Sequence, residues 1–128
     1  MPQRPNILIV EDELMVGLHL KVEVESFGYA VTGPVSSVEG AMAALDQENI
    51  DAAVLDLQLY DELSLSIAQA LWQRGVPFVF VTGLGVGTLP ETYDKVRILR
   101  KPVDFRQLKR TLAEICKVQT EAGETKSA

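Results

Sequence analysis

The sequence is short of cysteine, of basic charge and of long hydrophobic runs, and each shortage closes off a class of protein. One cysteine, Cys116, among 128 residues cannot form an internal disulfide framework and fits a reducing compartment. Twelve Lys and Arg against 18 Asp and Glu leave a net charge of −6, with no basic cluster, so direct nucleic-acid binding is not expected. The longest apolar runs, such as Ile7–Val10 and Val76–Val81, are four to six residues. A bilayer span needs roughly 18–20. The opening MPQRPN leads straight into a short run and then acids, without the apolar core of a secretory leader. Internal repeats and low-complexity tracts are also missing. What is present is globular composition, 47% hydrophobic and 23% charged, in a length that suits one domain. The expectation is a single cytoplasmic domain with no membrane contact.

Several short runs share one form. Asn6–Val10 (NILIV) ends abruptly in Glu11-Asp12-Glu13, Ala52–Leu55 ends at Asp56, and Phe78–Val81 ends at Thr82. Runs apolar on both faces suit parallel strands buried between helix layers. Ala30–Thr32 is a further strand candidate, and Val96–Leu99, interrupted by Arg97, suits an edge. Between the runs lie helical patterns: Val38–Glu48 with Ser36 or Ser37 as cap, Leu63–Arg74 stopping at Gly75-Val76-Pro77, and Asp104–Val118 capped by Asp104. Leu14–Phe27 is ambiguous. Leu18–Glu25 alternates strictly, as a half-buried strand would, yet a helix also fits, with Met15, Leu18 and Val22 on one stripe and Val16, Leu20, Val24 and Phe27 beside it. A crossover between parallel strands needs a dozen or more residues and is usually a helix, which favours the helix here. Its apolar surface is then wide enough to include an interaction face.

The alternation of strands and helices predicts a doubly wound α/β sheet. The Gly83–Asp94 stretch holds Gly83, Gly85, Gly87 and Pro90, so a fourth helix there should be short or mobile, beginning near Leu89. From Gly123 the chain is polar and aperiodic. The domain is therefore placed at residues 1–118 and a disordered tail at 119–128.

The reactive side chains fall at strand ends: Glu11 and Asp12 after the first, Asp56 after the third, Thr82 after the fourth, Lys101 after the fifth. Open α/β sheets bind ligands outside the carboxyl ends of their strands, where strand order reverses. With order 2-1-3-4-5, Asp56 and Lys101 stand two strand spacings apart, roughly 10 Å, a gap that a lysine stem largely closes. Three clustered carboxylates repel and raise one another's pKa. A hard cation such as Mg²⁺, which takes one or two carboxylates plus water and phosphate oxygens, relieves that repulsion. An aspartate can attack phosphorus, and phosphoryl transfer asks mainly for positioning and charge neutralisation.

With these residues in this order, the chain resembles the response-regulator receiver family of two-component systems, over Pro5–Val118. The resemblance is carried by ILIVEDE (Ile7–Glu13), AVLDLQL (Ala53–Leu59), VFVTG (Val79–Gly83) and RKP (Arg100–Pro102). It implies a flavodoxin-like (βα)5 three-layer sandwich. It also implies that Asp56 is the phosphoacceptor, Asp12 a direct Mg²⁺ ligand, Glu11 the holder of a metal-bound water and the Gln58 backbone carbonyl a further ligand. Thr82 and Lys101 become the switch hydroxyl and the family's lysine, with Lys101-Pro102 cis. The implied role is a phosphoacceptor with slow self-dephosphorylation rather than an enzyme. The implied partners are a sensor histidine kinase or a histidine phosphotransferase, with a homodimer left open. Because only about ten residues follow the last helix, output is expected by protein contact or as a phosphate sink.

Four positions depart from the family's usual pattern: Tyr60 for proline, Ser64 for glycine, Ile98 for the aromatic switch and Val103 for phenylalanine. With the FVTGLG run at Phe80–Gly85, this resembles the FAT GUY subgroup of single-domain receivers, which also lack the aromatic. Without that ring, an ordering of Gly83–Asp94 on phosphorylation is the expected route for the signal. Plainer readings hold elsewhere. Glu13 suits a helix N-terminus, His19 a surface position, and Cys116 core packing. Trp72 is open between packing and an exposed anchor, and the glycines lack the setting of a dinucleotide loop. Of the competing functions, a haloacid-dehalogenase-type phosphatase needs a second Asp where Gln58 stands. A pseudo-receiver used only for docking would not need the complete acid, threonine and lysine set.

Overall fold

Strands that are apolar on both faces require a helix layer on each side, and that requirement organises this chain. The computed structural model describes residues 4–59, 62–83 and 96–127, with side chains as far as Cys116. In chain order the elements are β1 (Asn6–Val10), α1 (Leu14–Ser26), β2 (Ala30–Val35), α2 (Val38–Gln47), β3 (Ala52–Asp56), α3 (Leu65–Gln73), β4 (Phe78–Thr82), β5 (Arg97–Arg100) and α4 (Phe105–Ser127). The strands form one parallel sheet in the order β2-β1-β3-β4-β5. This is the flavodoxin-like arrangement expected from the sequence.

Alternation along each strand divides the core in two. Leu8 and Val10, Ala53 and Leu55, and Phe78 and Phe80 point to one face, where Ala41, Ala44 and Leu45 of α2 and Ile67, Ala68 and Leu71 of α3 cover them. Ile7 and Ile9, Ala52 and Val54, and Val79 and Val81 point to the other, under Leu20 and Val24 of α1 and Leu108, Leu112 and Cys116 of α4. Burial pushes the Cys116 thiol up to about 11, and the charge of Asp51 adds to this against a hydrogen bond from Tyr29. Cys116 is thus the core residue expected.

The ambiguous segment is a helix, and its two stripes part company. Leu20 and Val24 are buried, and Val16 and Phe27 pack against them. Leu14, Met15 and Val22 are 67%, 75% and 61% exposed, with Leu18 also exposed. The strict alternation therefore reflects apolar residues on two sides of one helix. Caps fall as expected at α2, where Ser37 Oγ accepts from Gly40 N–H at 3.0 Å, and at α4, where Asp104 accepts from Arg106 N–H at 2.9 Å.

Some boundaries differ from expectation. The third helix starts at Leu65 rather than Leu63, because Leu63 is taken into a bridge with Gln58. β2 runs three residues past Thr32, and β5 is displaced by one. The backbone of α4 continues to Ser127, through the stretch 119–127 expected as a disordered tail. Once a helix is nucleated and packed, each further residue costs little, and Gln, Glu, Ala and Lys are favourable helix formers. The expected fourth helix and the Gly83–Asp94 segment beyond Gly83 lie outside the described residues, as does Tyr60. Among the described residues, no helix is long and apolar enough to cross a membrane.

Leu71 is fully buried between α3 and the sheet. Leu71→Ala should lower stability by about 3 kcal/mol, measured by urea unfolding, since the cavity cannot fully collapse.

Candidate functional site

The parallel register delivers the polar residues to one edge. Val10 pairs with Leu55, Asp56 with Val81, and Thr82 with Arg100, so each strand releases its next residue at the same level. Asp12, Asp56, Gln58, Thr82, Gly83 and Lys101 line a cleft of about 340 Å³ there. Carboxylate oxygens of Glu11, Asp12 and Asp56 all lie within 4.8 Å of one another. Lys101 crosses β4's end to reach them: its Nζ donates to Asp56 Oδ2 at 2.9 Å and stands 3.3 Å from Glu11 Oε2. Its backbone N–H donates to the Thr82 carbonyl at 3.0 Å. The Lys101-Pro102 bond is cis, as expected, and so is Gly33-Pro34.

Glu11 and Asp56 are buried, and their surroundings set their chemistry. Gln58 N–H donates to Asp56 Oδ1 at 3.2 Å, and Glu13 N–H donates to Glu11 Oε1 at 3.1 Å. Glu11 Oε2 is buried, and its oppositely charged neighbour among the described residues is the Lys101 ammonium at 3.3 Å. Burial pushes the Glu11 carboxyl up to about 7; repulsion from Asp56 adds to this, while the Glu13 N–H and Lys101 pull the other way. Burial also disfavours the Lys101 charge, but the hydrogen bond and charge of Asp56, with Glu11 behind, hold its pKa above the usual lysine value. A divalent cation fits this donor set: three carboxylates converge within 4.8 Å of one another against the charge of one lysine.

All six residues singled out from the sequence come to this edge. Glu11, Asp12 and Asp56 form the acid group, Lys101 bridges two of them, and Thr82 and Gln58 form part of the wall. His19 lies on the surface of α1, 3.6 Å from Glu23 and with its ring centroid 4.7 Å from that of Phe105. Trp72 is half-exposed. Two contributions were missed. Glu13 acts at the site through its backbone N–H, whereas its side chain makes no cap, and the Val35 carbonyl accepts the Glu11 N–H at 2.9 Å. Neither has a signal in residue type, since both act through the main chain.

No protein-family model matches the chain. The solution structure of SdrG from Sphingomonas melonis Fr1 is similar at 34% identity, with a TM-score of 0.77 over 90% of this chain and 98% of that one. The BeF3-activated conformation of SdrG from Pseudomonas melonis Fr1 aligns at 33% identity, TM-score 0.73, over 88% and 97%. A response regulator receiver domain (CheY-like) from Methylobacillus flagellatus aligns at 27% identity, TM-score 0.77, over 88% and 99%. The sensory transduction protein LytT of Bacillus cereus is 30% identical over 124 residues, 94% of this chain and 50% of that protein. The chain therefore spans about half the length of that relative. With the 2-1-3-4-5 sheet and the acid cluster at its carboxyl edge, the chain belongs to the response-regulator receiver family of two-component signal transduction.

The raised Glu11 pKa has a consequence for folding. Between the ordinary value of 4.5 and about 7, the folded protein keeps a proton on Glu11 that the unfolded chain has released. Stability in cation-free buffer should therefore fall as pH rises through that window. Glu11→Gln should flatten the fall. Urea midpoints of both proteins across the window check this, and equal slopes would contradict the buried environment of Glu11.

Proposed function

We propose that this receiver accepts a phosphoryl group on Asp56 from the phosphohistidine of a sensor kinase or histidine phosphotransferase. The observation that carries this reading is the position of Asp56: buried at the end of β3, hydrogen-bonded to Lys101 at 2.9 Å and grouped with Glu11 and Asp12 at the cleft. An Asp56 oxygen attacks phosphorus, the P–N bond to the imidazole breaks with its electron pair going to nitrogen, and an acyl phosphate forms. Lys101 leaves its ion pair to follow the incoming phosphoryl oxygens, and the Thr82 hydroxyl, at the neighbouring strand end, donates to one of them. Glu11, Asp12, Asp56 and the Gln58 carbonyl would hold Mg²⁺, which supplies charge neutralisation at the phosphoryl group. The similarity to SdrG, itself solved in a BeF3-activated conformation, supports the assignment.

A receiver implies a histidine kinase partner, and the exposed face of α1 offers it a surface. Leu14 and Met15 follow the acid loop directly, and Leu18 and Val22 extend the face away from the cleft. A groove of about 500 Å³ between α1 and the start of α4, lined by Val16, Leu20, Val103 and Phe105, shares Glu13 and Lys101 with the site. A phosphodonor reaching Asp56 over this side covers apolar surface that the fold leaves in water. Ile98 in place of an aromatic supports placing the chain with the FAT GUY receivers.

Asp56→Asn should abolish the acid-labile phosphoryl adduct formed with a small phosphodonor and Mg²⁺, read by intact-protein mass spectrometry. A normal adduct in that variant would sink the acceptor assignment, and no adduct on the wild type would favour a docking module. Phosphotransfer profiling against the host's histidine kinases identifies the donor. Leu18→Glu should then slow uptake from that kinase by roughly tenfold, far more than uptake from the small phosphodonor. Equal slowing with both donors would remove α1 from the docking surface.

A further inference from the structure

Glu11 is held from two directions. Its backbone N–H is fixed by the Val35 carbonyl, at the end of β2, at 2.9 Å, and its carboxylate by the Glu13 N–H, at the start of α1. These two elements meet at a contact between Gly17 and Pro34. A methyl built on Gly17 would lie 2.7 Å from Pro34 Cβ, 2.9 Å from Pro34 Cγ and 3.5 Å from Glu11 Cβ. The first two separations are closer than carbon atoms tolerate, so any side chain at position 17 must move the helix or the strand end.

Pro34 has little freedom to retreat. The β1–β2 pairing shifts register between Leu8 and Val10, and Gly33 sits at that irregularity with φ +106°. A Cβ there would be 2.6 Å from the Ile9 carbonyl oxygen, so the backbones are in close approach and β2 cannot slide inward. Beyond this corner Val35 regains its place opposite Val10 and presents its carbonyl to Glu11. The Gly17–Pro34 contact therefore fixes the separation of the two elements that grip Glu11.

We propose that Gly17 and Pro34 are positioning residues that set where the Glu11 carboxylate stands and thereby tune the divalent-cation affinity of the acid cluster. This rests on the reading that Glu11, Asp12 and Asp56 hold a cation. Neither residue touches the cleft. Outer residues that orient metal-binding groups commonly change affinity by about 10–100-fold when altered.

The test is Mg²⁺ titration by calorimetry on the full chain, with folding checked by circular dichroism. Wild type should bind Mg²⁺ and Asp12→Ala should not; failure of either result defeats the cation reading itself, and the proposal with it. Gly17→Ala should bind about tenfold more weakly. Leu71→Ala, destabilised in the opposite core, should stay within about twofold of wild type. Pro34→Gly removes both ring atoms from the contact, so Gly17→Ala combined with Pro34→Gly should recover much of the lost affinity. Wild-type affinity in a folded Gly17→Ala, an equal loss in Leu71→Ala, or no recovery in the double variant overturns the proposal. Should Gly17→Ala not fold, Pro34→Gly alone decides: weaker binding supports the proposal and unchanged binding overturns it.

Discussion

Three carboxylates and one ammonium share the carboxyl edge of the sheet, and this imbalance governs the site. With every group ionised, the three carboxylates Glu11, Asp12 and Asp56 outweigh the charge of Lys101 and leave the group net negative. A cluster of that charge, partly out of water, is unfavourable unless a proton or a cation joins it. Lys101 answers part of it by bridging Glu11 and Asp56, and the raised pKa of Glu11 answers more by keeping a proton near neutral pH. A divalent cation answers the same need without a proton. The cluster is thus poised for a positive charge, and a phosphoryl group brings oxygens that such a charge can hold.

A parallel sheet with both faces covered brings residues far apart in sequence into such a cluster. β1, β2 and β3 each return through a helix to the next parallel strand, and the strand ends line up at the same level. The apolar residues that bury the strands on both faces also keep water from the base of the cluster. Ile9 and Val10 precede Glu11, Leu55 precedes Asp56, and Val81 precedes Thr82, each fully or almost fully buried. Burial is what lifts Glu11 and what makes the Lys101 hydrogen bond to Asp56 stronger than it would be in solvent.

How much of this was legible in the sequence follows from the range of the forces involved. Strands such as Asn6–Val10 and Phe78–Thr82 declare themselves by composition, and the acids at their ends by position. Those two signals, with strand order, place the acid group, Thr82 and Lys101 at one edge. The segment Leu18–Glu25 carries a misleading local signal, because apolar residues facing the core and apolar residues facing solvent interleave with charged ones. Only the crossover requirement decides it. The Val35 carbonyl, the Glu13 N–H and the close approach at Gly17 were not legible, since they depend on how a helix sits on a strand end. A glycine inside a helix and a proline inside a strand hint at such places: each weakens its own element by local rules and here serves a contact between the two.

Of the departures from the usual receiver pattern, Ser64, Ile98 and Val103 lie outside the charged cluster. Ser64 is buried at the start of α3, where its hydroxyl donates to the Leu57 carbonyl at 3.3 Å. Ile98 packs partly buried against the core beneath α2 and α3, and Val103 against the core beneath α1 and α4. None of them is among the three carboxylates or the lysine that bridges them. Phosphoryl transfer depends on positioned charge, so exchanging an aromatic for isoleucine on a core face leaves its electrostatic basis in place. What such an exchange alters is the packing of that core face. The charged cluster and the positions that depart from the usual receiver pattern are thus different residues, and either set can vary while the other is retained.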